Sequence, residues 1–222
     1  MIGGRTEYFI PASIVMFLYF YPGVGKTPDQ DRWWENYDQG ENDMSKKVLM
    51  ISSSMRAKGN SAMLAQKFAE GAKAAGNETE FVSLHDKTIG FCKGCLACQK
   101  TQRCVIHDDA DTIREKMLQA DVLVFSTPIY YYEMSGQVKT LLDRANPLFP
   151  SDYRSTDVYF LSATAENENY VPQRATNSIQ GWIECFERAH LAGSLFCGGV
   201  TDVGDIDGSS KLDEAYEMGR AV

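Results

Sequence analysis

Short uninterrupted apolar runs alternate with stretches of helical spacing along most of this chain, and that alternation restricts its fold more than any other feature. Val48-Leu49-Met50-Ile51 is such a run, ending in Ser52-Ser53-Ser54. Consecutive apolar residues leave no polar face for solvent, so the strand they form is covered on both sides. Asn60 is placed to cap a helix in which Met63, Leu64, Phe68 and Ala72 recur at helical spacing until Gly76. Glu80 to Leu84 reads as a second strand, and Asp108 or Asp109 as the cap of a helix carrying Ile113, Met117 and Leu118. Asp121 to Ser126 is a third strand. Ser135 is the expected cap of the next helix, with Val138, Leu141 and Leu142 facing the core and a Lys139–Asp143 pair outside. A strand over Val158 to Ala163, a long helix over Pro172 to His190, a short strand over Ser194 to Cys197 and a terminal helix over Lys211 to Gly219 complete the series. The pattern predicts an α/β domain built on a doubly wound, five-stranded parallel sheet with helices on both faces.

Residues 1–43 do not share this pattern. Ile10 to Tyr21 is an aromatic-rich apolar run, too short to span a bilayer and lacking a basic lead-in or cleavage site. The string Gly23-Val24-Gly25-Lys26-Thr27 suggests a phosphate loop, but Phe20 stands where the motif needs glycine and Pro28 breaks the helix that must follow. Arg5, Lys26 and Arg32 face seven acidic residues here, so half of the net charge of −8 lies outside the alternating region. Residues 1–43 are therefore expected to be an extension foreign to the domain, or else an arm that packs on a partner subunit. Residues 44–222 form the domain, at a size suited to one core rather than two. The acidic balance, with no basic patch, disfavours nucleic acid and anionic membranes as partners.

In an open parallel sheet a ligand binds beyond the carboxyl ends of the strands, where the winding direction reverses. With strand order 2-1-3-4-5 that point lies between the first and third strands. The loop after the first strand, Ser52-Ser53-Ser54-Met55-Arg56-Ala57-Lys58-Gly59-Asn60-Ser61, supplies hydroxyls, a guanidinium, a flexible glycine and a helix N-terminus. Those are the parts of a phosphate cradle, although a polar turn with a good cap has the same composition. The loop after the third strand, Thr127-Pro128-Ile129-Tyr130-Tyr131-Tyr132-Glu133-Met134-Ser135, offers a rigid aromatic wall against which a flat ring can lie. The same tyrosines would also serve to cover a sheet edge or a subunit interface. Together the two loops suit a mononucleotide with a flat ring.

Ser54-Met55-Arg56 with Gly59-Asn60-Ser61, then Thr127-Pro128-Ile129-Tyr130, then Met134-Ser135-Gly136-Gln137 with Lys139 and Leu142-Asp143-Arg144, resembles the NADPH-dependent FMN reductase family, above all its iron–sulfur flavoprotein branch. The resemblance spans about residues 46–220. It implies a flavodoxin-like fold, bound FMN, NAD(P)H as electron donor, and homodimers or homotetramers that build the flavin site at an interface. It places Ser54, Arg56, Gly59, Asn60 and Ser61 at the phosphate and ribityl chain. Pro128, Ile129, Tyr130 and Tyr131 flank the ring, and Ala163 and Thr164 close its other side. Met55 departs from the pattern, where the family often has proline, which loosens the loop but removes no phosphate ligand.

Four of the six cysteines form a C-x2-C-x2-C-x5-C segment: Cys92, Cys95, Cys98 and Cys104. Such crowding suits a reducing, cytoplasmic compartment better than a secreted disulfide framework. The triplet is tighter than the paired C-x2-C units of structural zinc sites and fits one corner of a cubane, with a fourth thiol arriving from a short loop. Packed thiols around a tight turn at Gly94, a redox dithiol and a zinc site are the alternatives. The family resemblance would make the four residues ligands of a [4Fe–4S] cluster. Cys185, within a helix, and Cys197, ending a strand, are expected in the core, and His107 is expected to support a helix start. The implied function is transfer of electrons from a nicotinamide donor through flavin to a quinone, a nitro- or azo-compound, a flavin or a redox partner protein. An electron carrier without turnover of its own is the alternative.

Overall fold

The computed structural model describes residues 45–222, so the expectation for the N-terminal extension lies outside the described residues. Strands β1 (Lys47–Ser52), β2 (Glu78–Ser83), β3 (Val122–Tyr130), β5 (Asp157–Ala163) and β6 (His190–Cys197) form a parallel sheet in the order β2-β1-β3-β5-β6. A short strand β4 (Glu133–Met134) pairs antiparallel with the end of β3. Helices α1 (Asn60–Ala74), α2 (Cys98–Thr101), α3 (Asp109–Gln119), α4 (Gly136–Arg144), α5 (Gln173–Ile183) and α6 (Ser210–Arg220) connect or follow the strands. Among the parallel strands the expected 2-1-3-4-5 order holds, and β4 is an addition to it.

The continuous apolar runs are explained by two cores, one on each face of the sheet. Leu49, Ile51, Leu123, Phe125, Val158 and Phe160 point to one face, where Ile113, Met117, Leu141 and Ile179 cover them. Their neighbours Val48, Met50, Val122, Val124 and Leu161 point to the other, under Leu64, Phe68 and Ala215. With a period of two, β1, β3 and β5 each feed both cores. On the second face α1 and α6 cross at backbone contact: a Cβ on Gly71 would strike the carbonyl of Tyr216, and one on Gly219 the carbonyl of Phe68. No described helix is long and apolar enough to cross a membrane.

Several elements depart from expectation, among them β6, which begins at His190 rather than Ser194, and the short helix α2 in the cysteine segment. β3 runs on through Thr127-Pro128-Ile129-Tyr130 instead of ending at Ser126, because β5 continues to pair alongside it as far as Pro128–Ala163. Tyr131 and Tyr132 then reverse the chain into β4 with φ of 52° and 68°. α5 stops at Ile183 rather than His190. Beyond it Arg188 is drawn onto Tyr153, its guanidinium 4.6 Å from the ring centre and its backbone N–H donating to the phenol oxygen at 3.1 Å. Cys185 is consequently exposed, not in the core, whereas Cys197 is buried as expected.

Candidate functional site

A cavity of about 200 Å³ opens at the carboxyl ends of β1, β3 and β5, at the predicted switch point. Ser54, Arg56, Gly59, Asn60 and Ser61 form one wall. Pro128, Ile129 and Tyr130 form a second, with Ala163 and Thr164 beside them. The structure thus brings together ten of the eleven residues expected at the cofactor. Tyr131 is the exception: it sits at the turn beyond β3, is 98% exposed, and does not line the cavity in the single chain.

The first wall is shaped by a tight turn. The Ser54 hydroxyl donates to the Arg56 carbonyl at 3.0 Å and accepts from the Arg56 N–H at 3.3 Å, while Gly59 N–H also donates to that carbonyl at 3.0 Å. A side chain at Gly59 would run into Ser54 Oγ, so the close approach requires glycine. Gly59, not Asn60, occupies the cap position of α1, and no side chain caps this 15-residue helix. Its leading N–H groups and the positive end of its dipole are left for an anion. Behind the wall the buried hydroxyls of Ser53 and Ser135 meet at 2.8 Å, and Ser126 donates to the Ser61 carbonyl. Ser135 stands at the cap position of α4 but spends its hydroxyl on Ser53 rather than on the helix.

A third wall escaped the sequence. Val200 and Thr201, in the loop after β6, also line the cavity. Arg56 Nη1 donates to the Thr201 carbonyl at 2.6 Å, and Asn60 Nδ2 to the Asp202 carbonyl at 3.0 Å. Asp205 holds this loop by accepting the N–H groups of Thr201 and Asp202 at 2.8 and 2.7 Å, bonds that keep its carboxyl below the usual aspartate range. Asn60 Oδ1 is buried with no hydrogen-bond partner. A buried acceptor left open at a cavity wall is costly unless a ligand satisfies it.

The cysteine segment builds a second cavity, of about 540 Å³, against the end of α4, a 3-10 turn at Asn146–Leu148 and the chain just after α5. Cys92, Cys95, Cys98 and Cys104 all line it, and so does Cys185. Cys98 is buried and accepts from Asn146 Nδ2 at 3.0 Å; Cys92 is exposed and accepts from the Gly94 N–H at 3.4 Å. Gly94, Leu96 and Gln102 take left-handed conformations with φ of 64°, 56° and 55°, winding the spacers between the thiols. Among the described residues no three metal-binding side chains stand close enough to share one ion, so the four thiols share a cavity without forming a closed ligand set. His107 Nδ1 lies 3.1 Å from Asp111 Oδ2 in α3, and Asp108 caps that helix by accepting the Ala110 N–H at 3.0 Å.

Comparison with known proteins agrees with this geometry. The family model for NADPH-dependent FMN reductase matches residues 46–180. An iron–sulfur flavoprotein of Methanocaldococcus jannaschii is 41% identical over 102 residues, which is 46% of this chain and 53% of that protein. The chain thus spans only about half of that relative's length. An iron–sulfur flavoprotein of Methanosarcina thermophila is 30% identical over 156 residues, 70% of this chain and 82% of its own. Among solved structures, an NAD(P)H:quinone oxidoreductase from Methanothermobacter marburgensis superposes with a TM-score of 0.62 at 18% identity, covering 79% of this chain and 95% of that one, a likeness of fold. The chain belongs to the NADPH-dependent FMN reductase family and aligns with its iron–sulfur flavoprotein branch.

Proposed function

We propose that the protein is an FMN-dependent oxidoreductase that takes electrons from NAD(P)H and delivers them to a small-molecule or protein acceptor. The observation that supports it most is the first cavity, where an uncapped helix N-terminus, the Arg56 guanidinium and the unpartnered Asn60 Oδ1 converge. These groups fit FMN part by part. The α1 N-terminus and Arg56 bind the phosphate dianion, as dipole and cation together favour. Asn60 Oδ1 accepts from a ribityl hydroxyl, and Gly59 lets the loop approach closely. The Ser54 hydroxyl, which donates to the Arg56 carbonyl, and the Ser126 hydroxyl, which donates to the Ser61 carbonyl, hold that loop's shape. Pro128, Ile129, Tyr130, Ala163 and Thr164 orient the ring and keep water from its edge. When bound, FMN supplies hydride and single-electron chemistry.

Tyr132 stacks on the exposed Tyr170 with ring centres 6.2 Å apart, and Tyr130 and Tyr131 precede it in the chain with 53% and 98% exposure, aromatic surface suited to a flat acceptor such as a quinone, a nitro- or azo-compound, or a second flavin. In this reading a second copy of the chain, in a homodimer or homotetramer, covers the turn at Tyr131. The four thiols of the second cavity hold a [4Fe–4S] cluster, favoured by their shared wall and by the N–H groups already aimed at two sulfurs. Anaerobic addition of NADH or NADPH to the FMN-loaded protein tests the assignment. Bleaching of the flavin absorption by either donor, and its recovery with a quinone, is the expected result. A flavin that neither donor bleaches excludes the reductase function.

A further inference from the structure

The cysteine segment departs from the framework at Gly90 and rejoins it at Ile106 to Asp108, and one side chain reaches both ends. Arg144, the last residue of α4, heads the fully buried side chains among the described residues. Its Nη1 donates to the Gly90 carbonyl at 2.8 Å and to Asp108 Oδ2 at 2.6 Å. Its Nη2 donates to the Ile106 carbonyl at 2.8 Å and to Asp108 Oδ1 at 3.0 Å. Asp108 accepts in turn from the Gly90 N–H at 2.8 Å, so the same carboxylate that caps α3 also grips the start of the segment. Burial alone would lower the Arg144 pKa, but bonds to Asp108 and Cys104 outweigh it and keep the guanidinium charged.

A buried ion pair is weak evidence for stability, since apolar residues of equal volume usually serve as well. This pair does something apolar residues cannot: its planar fork ties two chain segments at fixed spacing. All four thiols lie between the tied ends, on spacers that include the left-handed, non-glycine residues Leu96 and Gln102. A segment tied at both ends leaves less chain to order when its ligand draws the thiols together.

We propose that Arg144, acting with Asp108, is a positioning residue for the thiol site: it clamps both ends of the cysteine segment so that Cys92, Cys95, Cys98 and Cys104 face one cavity. Its fixed charge also offsets the negative charge that metal-bound thiolates bring there. The inference rests on the reading of these four residues as metal ligands.

Cadmium is the probe, added to the full chain loaded with FMN and followed by the sulfur-to-cadmium charge-transfer band. The wild type binds one Cd²⁺ through four thiolates and shields four of its six cysteines from a thiol reagent. Arg144→Gln and Asp108→Asn each weaken Cd²⁺ binding at least tenfold and reduce the band below its four-thiolate intensity, while FMN affinity stays within twofold. The double variant loses little more than the worse single one, because the two groups act as one unit. Should Arg144→Gln fail to fold, Asp108→Asn, which keeps the volume and the cap, decides alone. Variants that bind Cd²⁺ as tightly as the wild type, with the full band, overturn the clamp. Iron and acid-labile sulfide, assayed on reconstituted wild type, judge the cluster separately. A wild type that gathers neither Cd²⁺ nor iron overturns both.

Discussion

Replacing Arg56 with alanine removes the cation at the rim of the first cavity and leaves the core untouched. Arg56 is exposed, and its Nη1 bond to the Thr201 carbonyl at 2.6 Å holds the guanidinium in place beside the α1 N-terminus. A charge-assisted hydrogen bond to phosphate contributes about 1.5–3 kcal/mol. At about 1.4 kcal/mol per tenfold, FMN should bind roughly 10- to 150-fold more weakly. Exposed substitutions of this kind change folding stability by no more than about 0.5 kcal/mol. Lysine at the same position should recover only part of the loss, since it keeps the charge but not the fork. Quenching of FMN fluorescence on titration measures the affinity, and urea unfolding of the same samples shows that the fold is intact. The wild-type affinity should also fall with added salt more steeply than that of the alanine variant. A folded Arg56→Ala protein that binds FMN within twofold of the wild type refutes the placement of the phosphate at this loop.

Three further outcomes follow from the same geometry. Changing Tyr131-Tyr132 to Asn-Gly, the pair that left-handed two-residue hairpins favour, should raise stability by about 1–2 kcal/mol and lower turnover with aromatic acceptors; lower stability in urea would show that the tyrosines are not strained. Phe68→Ala, which empties a fully buried site between α1 and the sheet, should cost about 3–5 kcal/mol in urea unfolding, and a cost below about 1 kcal/mol would mean that the second core is misplaced. Burial would raise the Asp108 pKa, but Arg144 and the N–H groups of Gly90 and Ala110 bring it below the ordinary value. Its folded pKa is depressed, so its contribution is complete above the unfolded value of about 4 and is lost as pH falls through the folded one. Acid unfolding of the wild type should therefore steepen below about pH 4, and Asp108→Asn should lack that part of the slope.

The sheet was legible because its strands feed two cores, which forces continuous apolar runs such as Val48 to Ile51 and Val122 to Phe125. Both walls drawn from loops after β1 and β3 were legible for a related reason: a switch point gathers whatever follows the strands on either side of it. The hairpin beyond β3 was not, since Pro128 reads as a strand breaker and Tyr131-Tyr132 carries none of the Asn-Gly signal of a tight turn. The early end of α5 was hidden because Trp182, Ile183 and Phe186 keep helical spacing past the point where Arg188 turns to Tyr153. Thr201 and Asp205 were missed because their part in the site depends on how the loop after β6 folds over Arg56, a contact across 145 positions. Arg144 stood out only as the end of the Leu142-Asp143-Arg144 motif, and its partner 36 residues upstream explains its burial. Proximity of the thiols was legible from their spacing. A closed ligand set was not, because spacing fixes reach but not the direction of each sulfur.

The binding of FMN at the β1–β3 switch point is tested most directly by an anaerobic absorption spectrum of the purified protein, before and after FMN is added, with iron and acid-labile sulfide assayed on the same sample. A two-band yellow spectrum at one FMN per chain is the predicted result, overlaid by broad brown absorption and about four irons if the second cavity is filled. Protein that stays colourless after FMN is added and the excess removed would contradict the flavin site.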